Sequence, residues 1–552
     1  MRKGDVIEGC VIRYDYPGQG VLTAEGREVY VKGVLPGQMV RCRLKKVNSS
    51  RCEGMLMEVL EPSAMEHSSA CPHFPDCGGC QMQTIPYSDQ LSLKKEQILR
   101  LLGDVLENPE EGWFDGISAS PVEKGYRNKM EFTFGDSCKG GPLVLGMHKK
   151  GSFYDIVDTT DCQIVDSDVR RIRNAVLDVA VKSGVPFYHR MTHIGYFRHL
   201  LVRKARSSGQ ILVDLVTSTP FLSQKEQEEL DRKLTAQLIG LALEGTITGI
   251  LHTYNDSVAD TIQSDRTELL FGTDRITENL LGMQFQITPF SFFQTNSAGA
   301  QVLYSIVRNY IGDTKDKVLF DLYSGTGTIA QILAPVAKHV TGVEIVPEAV
   351  EAARINAKQN HLDNCDFICG DVLKVIDSMK EKPDAIVLDP PREGIHPKAM
   401  PKILKYGVET IIYISCKATS LKRDLVPLQQ AGYRVKKMAL VDLFPGTCHV
   451  ETVCLLSKLS EAKNHISVKV DMDEINVTAA ESKATYDEIR EWVQDNYGFH
   501  VTNLNIAQVK RKHGIIEREN YNKPKTDESR QPGCPEEKSI AIEEAMRHFQ
   551  MI

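Results

Sequence analysis

The stretch VLFDLYSGTGTIA, residues 318–330, decides the fold. An apolar run enters a turn carrying Gly325 and Gly327, and apolar residues then resume at helical spacing. That order predicts a strand, a tight loop and a helix. The rhythm repeats downstream: HVTGVEI, CDFICGD, DAIVLDP and TIIYISC read as further strands with helical segments between them. Strands alternating with helices predict an α/β fold, with a parallel, doubly wound, Rossmann-like sheet over 286–458.

A glycine turn lets backbone approach a ligand, and the helix after it offers an N-terminus. Glu344, nineteen residues after Gly325, ends the next strand, where a carboxylate can accept both hydroxyls of a ribose. Asp371 ends a third strand and suits an adenine amino group, and Asp389 ends a fourth. The turn lacks the third glycine of G-x-G-x-x-G, which argues against a nicotinamide dinucleotide. A glycine turn with acidic residues at successive strand ends points to S-adenosylmethionine.

IVLDPPREGI, 386–395, poses the choice of methyl acceptor. Enzymes that methylate amino groups usually place an aromatic after the two prolines, to stack on the target base; here Arg392 stands there. A ring carbon such as uracil C5 is too weak a nucleophile unless a thiolate first adds at C6, and a base must later take the C5 proton. Cys416, ending TIIYISC, is the thiol, on a strand expected beside that of Asp389. Holding it ionised at pH 7 costs about 2 kcal/mol, which nearby positive charge such as Lys417 must offset. LFPGTCHVETVCLL supplies two candidate bases, His449 and Glu451.

The rest of the chain is organised around this unit. Residues 1–62 alternate apolar positions with glycine and proline turns, as in a small β-barrel of the oligonucleotide-binding type. Residues 63–285 mix strands with a helical run at 222–242, an α+β domain. Within it, CPHFPDCGGCQMQ spaces Cys71, Cys77 and Cys80 as C-x5-C-x2-C, with Cys162 the best fourth thiol and Cys138 the other. Four thiolates suit zinc or an iron–sulfur cluster, and spacing alone does not choose. Residues 459–552 form a C-terminal extension in which Tyr486, Ile489, Trp492 and Val493 fall at helical spacing after a Thr485 cap. Its basic QVKRKHG reads as a solvated face, and no chemistry is visible there.

Net charge is −7 over 552 residues, which excludes a uniformly basic coat, yet residues 1–60 hold ten Lys and Arg against seven Asp and Glu. A local phosphate-binding face is allowed. The fourteen cysteines come with no secretion signal or membrane-length apolar run, so a cytoplasmic, monomeric protein is expected.

FFQTN, DLYSGTGTIA, DPPREGI, YISCKATSLKRD and DLFPGTCHVETV together resemble the RNA (uracil-5-)methyltransferases, over about residues 1–458. GQGV and LPGQ in the barrel resemble the TRAM domain. The resemblance implies that Cys416 is the nucleophile and Glu451 the proton acceptor. It implies that Gln294, Tyr323, Glu344 and Asp389 bind S-adenosylmethionine, with Thr328 in the same motif. Members acting on 23S ribosomal RNA carry the same cysteine spacing, which implies a [4Fe–4S] cluster on Cys71, Cys77, Cys80 and Cys162, structural in role. Cluster and barrel together imply 23S rRNA as substrate, its uridine flipped from a loop. GYRNK (Tyr126, Arg127, Lys129) and YFRHLLVRK (Phe197, Arg198) are the expected contact segments. A transfer-RNA substrate and a non-catalytic assembly factor are the competing readings. The family offers Cys448 no role.

Overall fold

The computed structural model describes residues 1–48, 51–106, 112–152, 154–219, 221–258, 264–379, 381–458, 486–513 and 534–549. The chain forms two compact units, 1–461 and 462–552.

The first unit opens with a closed barrel of five strands, Val6–Asp15, Gln19–Ala24, Arg27–Lys32, Met39–Val47 and Cys52–Glu61. Inward-facing Val11, Leu22, Val29, Val31, Val40 and Leu44 fill it, as the period-two apolar pattern requires. A seven-stranded sheet follows, from Lys129–Asp136 to Arg266–Gly272. Its strands Gln210–Thr217 and Thr246–Tyr254 are parallel, joined by the helix Gln224–Ile239.

The largest sheet has eight strands. Thr314–Leu322, Ala337–Glu344, Cys365–Cys369, Ala385–Leu388 and Thr410–Ser415 are mutually parallel, as the sequence rhythm predicts. Thr314–Leu322 has Ala337–Glu344 on one side and Ala385–Leu388 on the other. Strand order therefore reverses at that strand, and ligands of such sheets bind outside the carboxyl ends at that switch point. Glu451–Lys458 runs antiparallel to Thr410–Ser415 and pairs with Tyr433–Val441.

The eighth strand is Phe114–Ser118, far upstream. Five residues containing Gly116 at φ 95° carry little strand signal, and the expected linear partition at 285 does not follow sheet membership. The helix Tyr87–Leu102 crosses that partition too: its Ile98 and Leu102 share a core with Phe320, Leu388 and Tyr413.

Two expected RNA-contact segments are interior. Phe197 and Arg198 are buried on a strand flanked by Lys129–Asp136 and Gln210–Thr217. Arg198 donates to the Asn255 carbonyl at 2.5 Å and stacks on Tyr188, so its charge serves the fold. Tyr126 is buried and donates to the Pro445 carbonyl at 3.0 Å. Lys129 is partly covered and pairs with Glu131. Of these five residues only Arg127 borders the large cavity described below.

The second unit contains helices Tyr486–Tyr497, Asn503–Lys512 and Glu536–His548 around Ile489, Val493, Ile506, Val509 and Ile542. The expected Thr485 cap lies outside the described residues. Lys512 and His513 of the basic run both pair with Glu543 of the last helix. No helix among the described residues is long and apolar enough to cross a membrane.

One ion pair ties the first unit together. Lys94 Nζ donates to Asp442 Oδ1 at 2.7 Å and to the Phe444 carbonyl at 3.1 Å, and both charged side chains are fully buried. Lys94→Met leaves a buried carboxylate without its counter-ion, so we expect a loss of about 3–5 kcal/mol, read as an earlier thermal transition.

Candidate active site

A cavity of about 1490 Å³ opens at the switch point. Gln294, Tyr323, Thr328, Glu344, Asp371, Asp389, Cys416 and Glu451 line it, as do Cys71, Cys77, Cys80 and Cys162. These twelve residues thus border one space.

Its floor is the glycine turn. Buried Asp321 accepts from the Ser324 hydroxyl at 2.8 Å and the Ala330 amide at 3.0 Å, folding the loop back on its strand. Tyr323, Gly325 and Gly327 have φ of 68°, 56° and 74°. A Cβ on Gly327 would meet the Phe367 ring at 2.5 Å, so glycine is required there on two counts. Tyr323 holds a left-handed conformation unusual for its type, a strain that sits at the ligand-facing lip.

Glu344 accepts the Gly325 amide at 3.0 Å through one oxygen, and the Ile345 and Val346 amides at 2.8 and 2.9 Å through the other. These bonds orient the carboxylate, and each oxygen keeps capacity toward the cavity. Asp371 caps the short helix after its strand by accepting the Leu373 amide at 2.9 Å. Tyr304, a residue whose place on an apolar helix face reads as plain core, borders the cavity together with Gln294.

The reacting end carries acids and one thiol. Burial pushes Asp389 well above the usual carboxylate range, reinforced by Glu451 and Asp321. Burial lifts Glu451 to about 7, with Arg392 pulling the other way. The Cys416 thiol is pushed up to about 11 by burial, then by the charges of Glu451 and Asp389, and again Arg392 opposes. Lys417 does not serve as the expected counter-charge: it is exposed at the cap of the next helix, and the cation whose charge reaches the sulfur is Arg392. His449 also lines the cavity, its basicity lowered by burial and by Arg392, Lys94 and Arg127. A thiol beside a carboxylate poised near neutrality can add to an electrophilic carbon and then remove a proton.

The four clustered cysteines border the same cavity. Burial pushes Cys80 up to about 12 and Cys162 up to about 11, and neighbouring sulfurs add to both. The Gln83 amide donates to Cys80 Sγ at 3.0 Å and the Gly79 N–H to Cys77 Sγ at 3.4 Å. Cys138 is exposed and does not border this cavity. Among the described residues no group of three or more His, Cys, Asp or Glu side chains could hold a single metal ion.

Cys448, without an expected role, is a packing residue buried with Tyr14, Met82 and Leu93.

The profile of the tRNA (uracil-5-)-methyltransferase family matches residues 251–459. An uncharacterized RNA methyltransferase of Clostridium tetani is 47% identical over 454 residues, covering 82% of this chain and 98% of the relative. One of Caldanaerobacter subterraneus is 45% identical over 458 residues, covering 83% of this chain and 100% of the relative. Among solved structures, the tRNA (uracil-54, C5)-methyltransferase of Pyrococcus abyssi, in complex with S-adenosyl-L-homocysteine, aligns with TM-score 0.64. It covers 82% of this chain and 100% of its own, at 24% identity, a likeness of fold.

Proposed function

Because the chain belongs to the S-adenosylmethionine-dependent RNA (uracil-5-)methyltransferases, we propose that it methylates C5 of a uridine in 23S ribosomal RNA, with Cys416 as nucleophile and Glu451 as base. The observation carrying this reading is a half-buried thiol and a buried carboxylate near neutrality on the cavity that also holds the glycine turn and Glu344. S-adenosylmethionine supplies the methyl group as its sulfonium. Gln294, Tyr323, Thr328, Glu344, Asp371 and Asp389 bind it, Glu344 through ribose and Asp371 through adenine. The base enters flipped from a loop, since pairing hides C5 and C6. The Cys416 thiolate bonds to C6, the ring electrons move to C5, and C5 takes the methyl carbon as its bond to the sulfonium sulfur breaks, leaving S-adenosylhomocysteine. Glu451 then takes the C5 proton, and the electron pair left behind expels the sulfur.

The 23S assignment rests on the combination of barrel and cysteine spacing. A transfer-RNA substrate is the second reading, favoured by the fold likeness to the Pyrococcus abyssi enzyme. Labelled methyl transfer to 23S fragments and to naked transfer RNA separates them.

RNA carrying 5-fluorouridine tests the covalent step, because fluorine cannot leave as a proton. Wild-type protein with cofactor gives an adduct that survives denaturation; Cys416→Ala gives none and no methylation, while still binding RNA. Methylation by Cys416→Ala at the wild-type rate overturns the assignment.

The pH dependence divides between the two groups. Thiolate formation precedes methyl transfer, so kcat/KM climbs through neutral and alkaline pH toward the Cys416 value of about 11. Proton removal follows methyl transfer and needs Glu451 ionised, so kcat falls about tenfold per unit below pH about 7. Glu451→Gln lowers kcat by about 10²–10⁴ and removes that acid limb, with methylated RNA retained on the enzyme. The same behaviour in His449→Ala transfers the role to His449.

We assign Cys71, Cys77, Cys80 and Cys162 as ligands of a structural [4Fe–4S] cluster, supported by their shared cavity and the N–H donors to sulfur. Anaerobically purified protein should contain iron and acid-labile sulfide, and Cys80→Ser should lose both. A stable, active protein free of iron removes the assignment.

A further inference from the structure

The loop that brings His449 and Glu451 to the cavity is gripped by three glutamine side chains. The Gly446 amide donates to Gln90 Oε1 at 2.8 Å, and the Cys448 amide donates to Gln81 Oε1 at 3.3 Å. Gln97 Nε2 donates to the Cys448 carbonyl at 3.0 Å, while Gln97 Oε1 accepts the Gly18 amide of the barrel turn at 3.2 Å. Gln90, Lys94 and Gln97 fall at i, i+4 and i+7 on the helix Tyr87–Leu102, so one buried face carries all three. Gln81 follows Cys80 of the cysteine motif. Its amide and that of Met82 both donate to the Gly446 carbonyl, at 2.8 and 2.9 Å.

Cys448 is thus held at both ends of its backbone, its amide by Gln81 and its carbonyl by Gln97. A buried amide side chain must satisfy its donor and its acceptor together, a demand an apolar residue would not make. Gln97 is 1% exposed, and one donor and one acceptor meet it, so its amide has a single orientation. Cys448 stands three residues before Glu451. On the far side, Glu451 opens the strand Glu451–Lys458 and pairs with Val441. Strand pairing therefore fixes the backbone from Glu451 onward, and the glutamines fix it up to Cys448. His449 and Val450 are the whole span between the two anchors.

We propose that Gln81 and Gln97 are positioning residues for Glu451: by holding the Cys448 backbone they set the carboxylate where the C5 proton leaves. The inference rests on the reading of Glu451 as base given above. In that step the proton passes to the carboxylate, the C5–H electron pair forms the C5–C6 double bond, and the bond from C6 to sulfur breaks. Adduct formation on 5-fluorouridine RNA stops before it, so two rates separate the base from the nucleophile. Gln97→Met keeps the volume and removes both bonds. A misplacement of about 1 Å at a reacting group costs about 10²-fold in rate. The kcat of Gln97→Met should fall about tenfold, within that limit, and a denaturation-resistant complex should accumulate on ordinary uridine RNA. Gln81→Met, at a less buried position, should show the same pattern at about threefold. In both, single-turnover adduct formation on 5-fluorouridine RNA and Kd for RNA should stay within about twofold of wild type. All proteins are compared at a temperature where they are folded, and Gln81→Met decides alone should Gln97→Met not fold. Wild-type turnover by Glu451→Gln removes the Glu451 reading itself, whatever the glutamines do. With Glu451→Gln impaired, unchanged kcat in the glutamine variants overturns the positioning role. A fall in adduct formation as large as that in kcat also overturns it, since the whole centre has then been disturbed rather than the base.

Discussion

The buried contact between Lys94 and Asp442 holds the start of the loop that carries His449 and Glu451 to the cavity. Two fully buried charges lose their hydration and recover it only through close geometry and further hydrogen bonds. Those bonds are present: Asp442 accepts the Phe444 amide at 2.9 Å as well as the ammonium, and the ammonium also reaches the Phe444 carbonyl. Neither partner can move without stranding a charge, so the start of the loop from Asp442 to Phe444 is held against that helix. Because Lys94 belongs to the helix Tyr87–Leu102, the same bond fixes that helix and its Gln97 against the Cys448 loop. A hydrophobic pair of similar volume would fill the space without aiming the loop.

The cavity gathers acids around the thiol that the proposed chemistry would use. Asp321 and Glu451 are buried, Asp389 is half-buried, and all three hold their protons more tightly than free carboxyls. Against them stands Arg392, exposed at the rim and acting on Cys416, Glu451 and His449 together.

Much of this was legible because strand ends announce themselves. An apolar run stopping at glycine or an acid marks where side chains leave the sheet, and Asp321, Glu344, Asp371 and Asp389 sit at or just beyond such ends. The expectation that Cys416 follows a strand beside that of Asp389 agrees with the sheet, where Ala385–Leu388 pairs with Thr410–Ser415. Long-range contacts were not legible. Lys94 is 348 residues from Asp442, and no periodicity links them. Arg198 was misread because polar residues on a strand suggest an outer face, whereas here its guanidinium is bonded to a backbone carbonyl inside. Lys417 departs from the expected counter-charge because sequence neighbours alternate direction: it is exposed, and the cation acting on Cys416 is Arg392 of another loop.

The edge strand Phe114–Ser118 has a consequence for biogenesis. Its partner, Tyr433–Val441, begins 315 residues after Ser118. At about 5–20 residues per second the ribosome takes roughly 16–60 s to supply it. The central sheet, Lys129–Gly272, emerges in the interval and can close first, leaving the earlier segment waiting with an unpaired edge. Newly made chains should then depend on holding chaperones during synthesis more than refolded ones do, and slow codons after position 118 would lengthen that exposure.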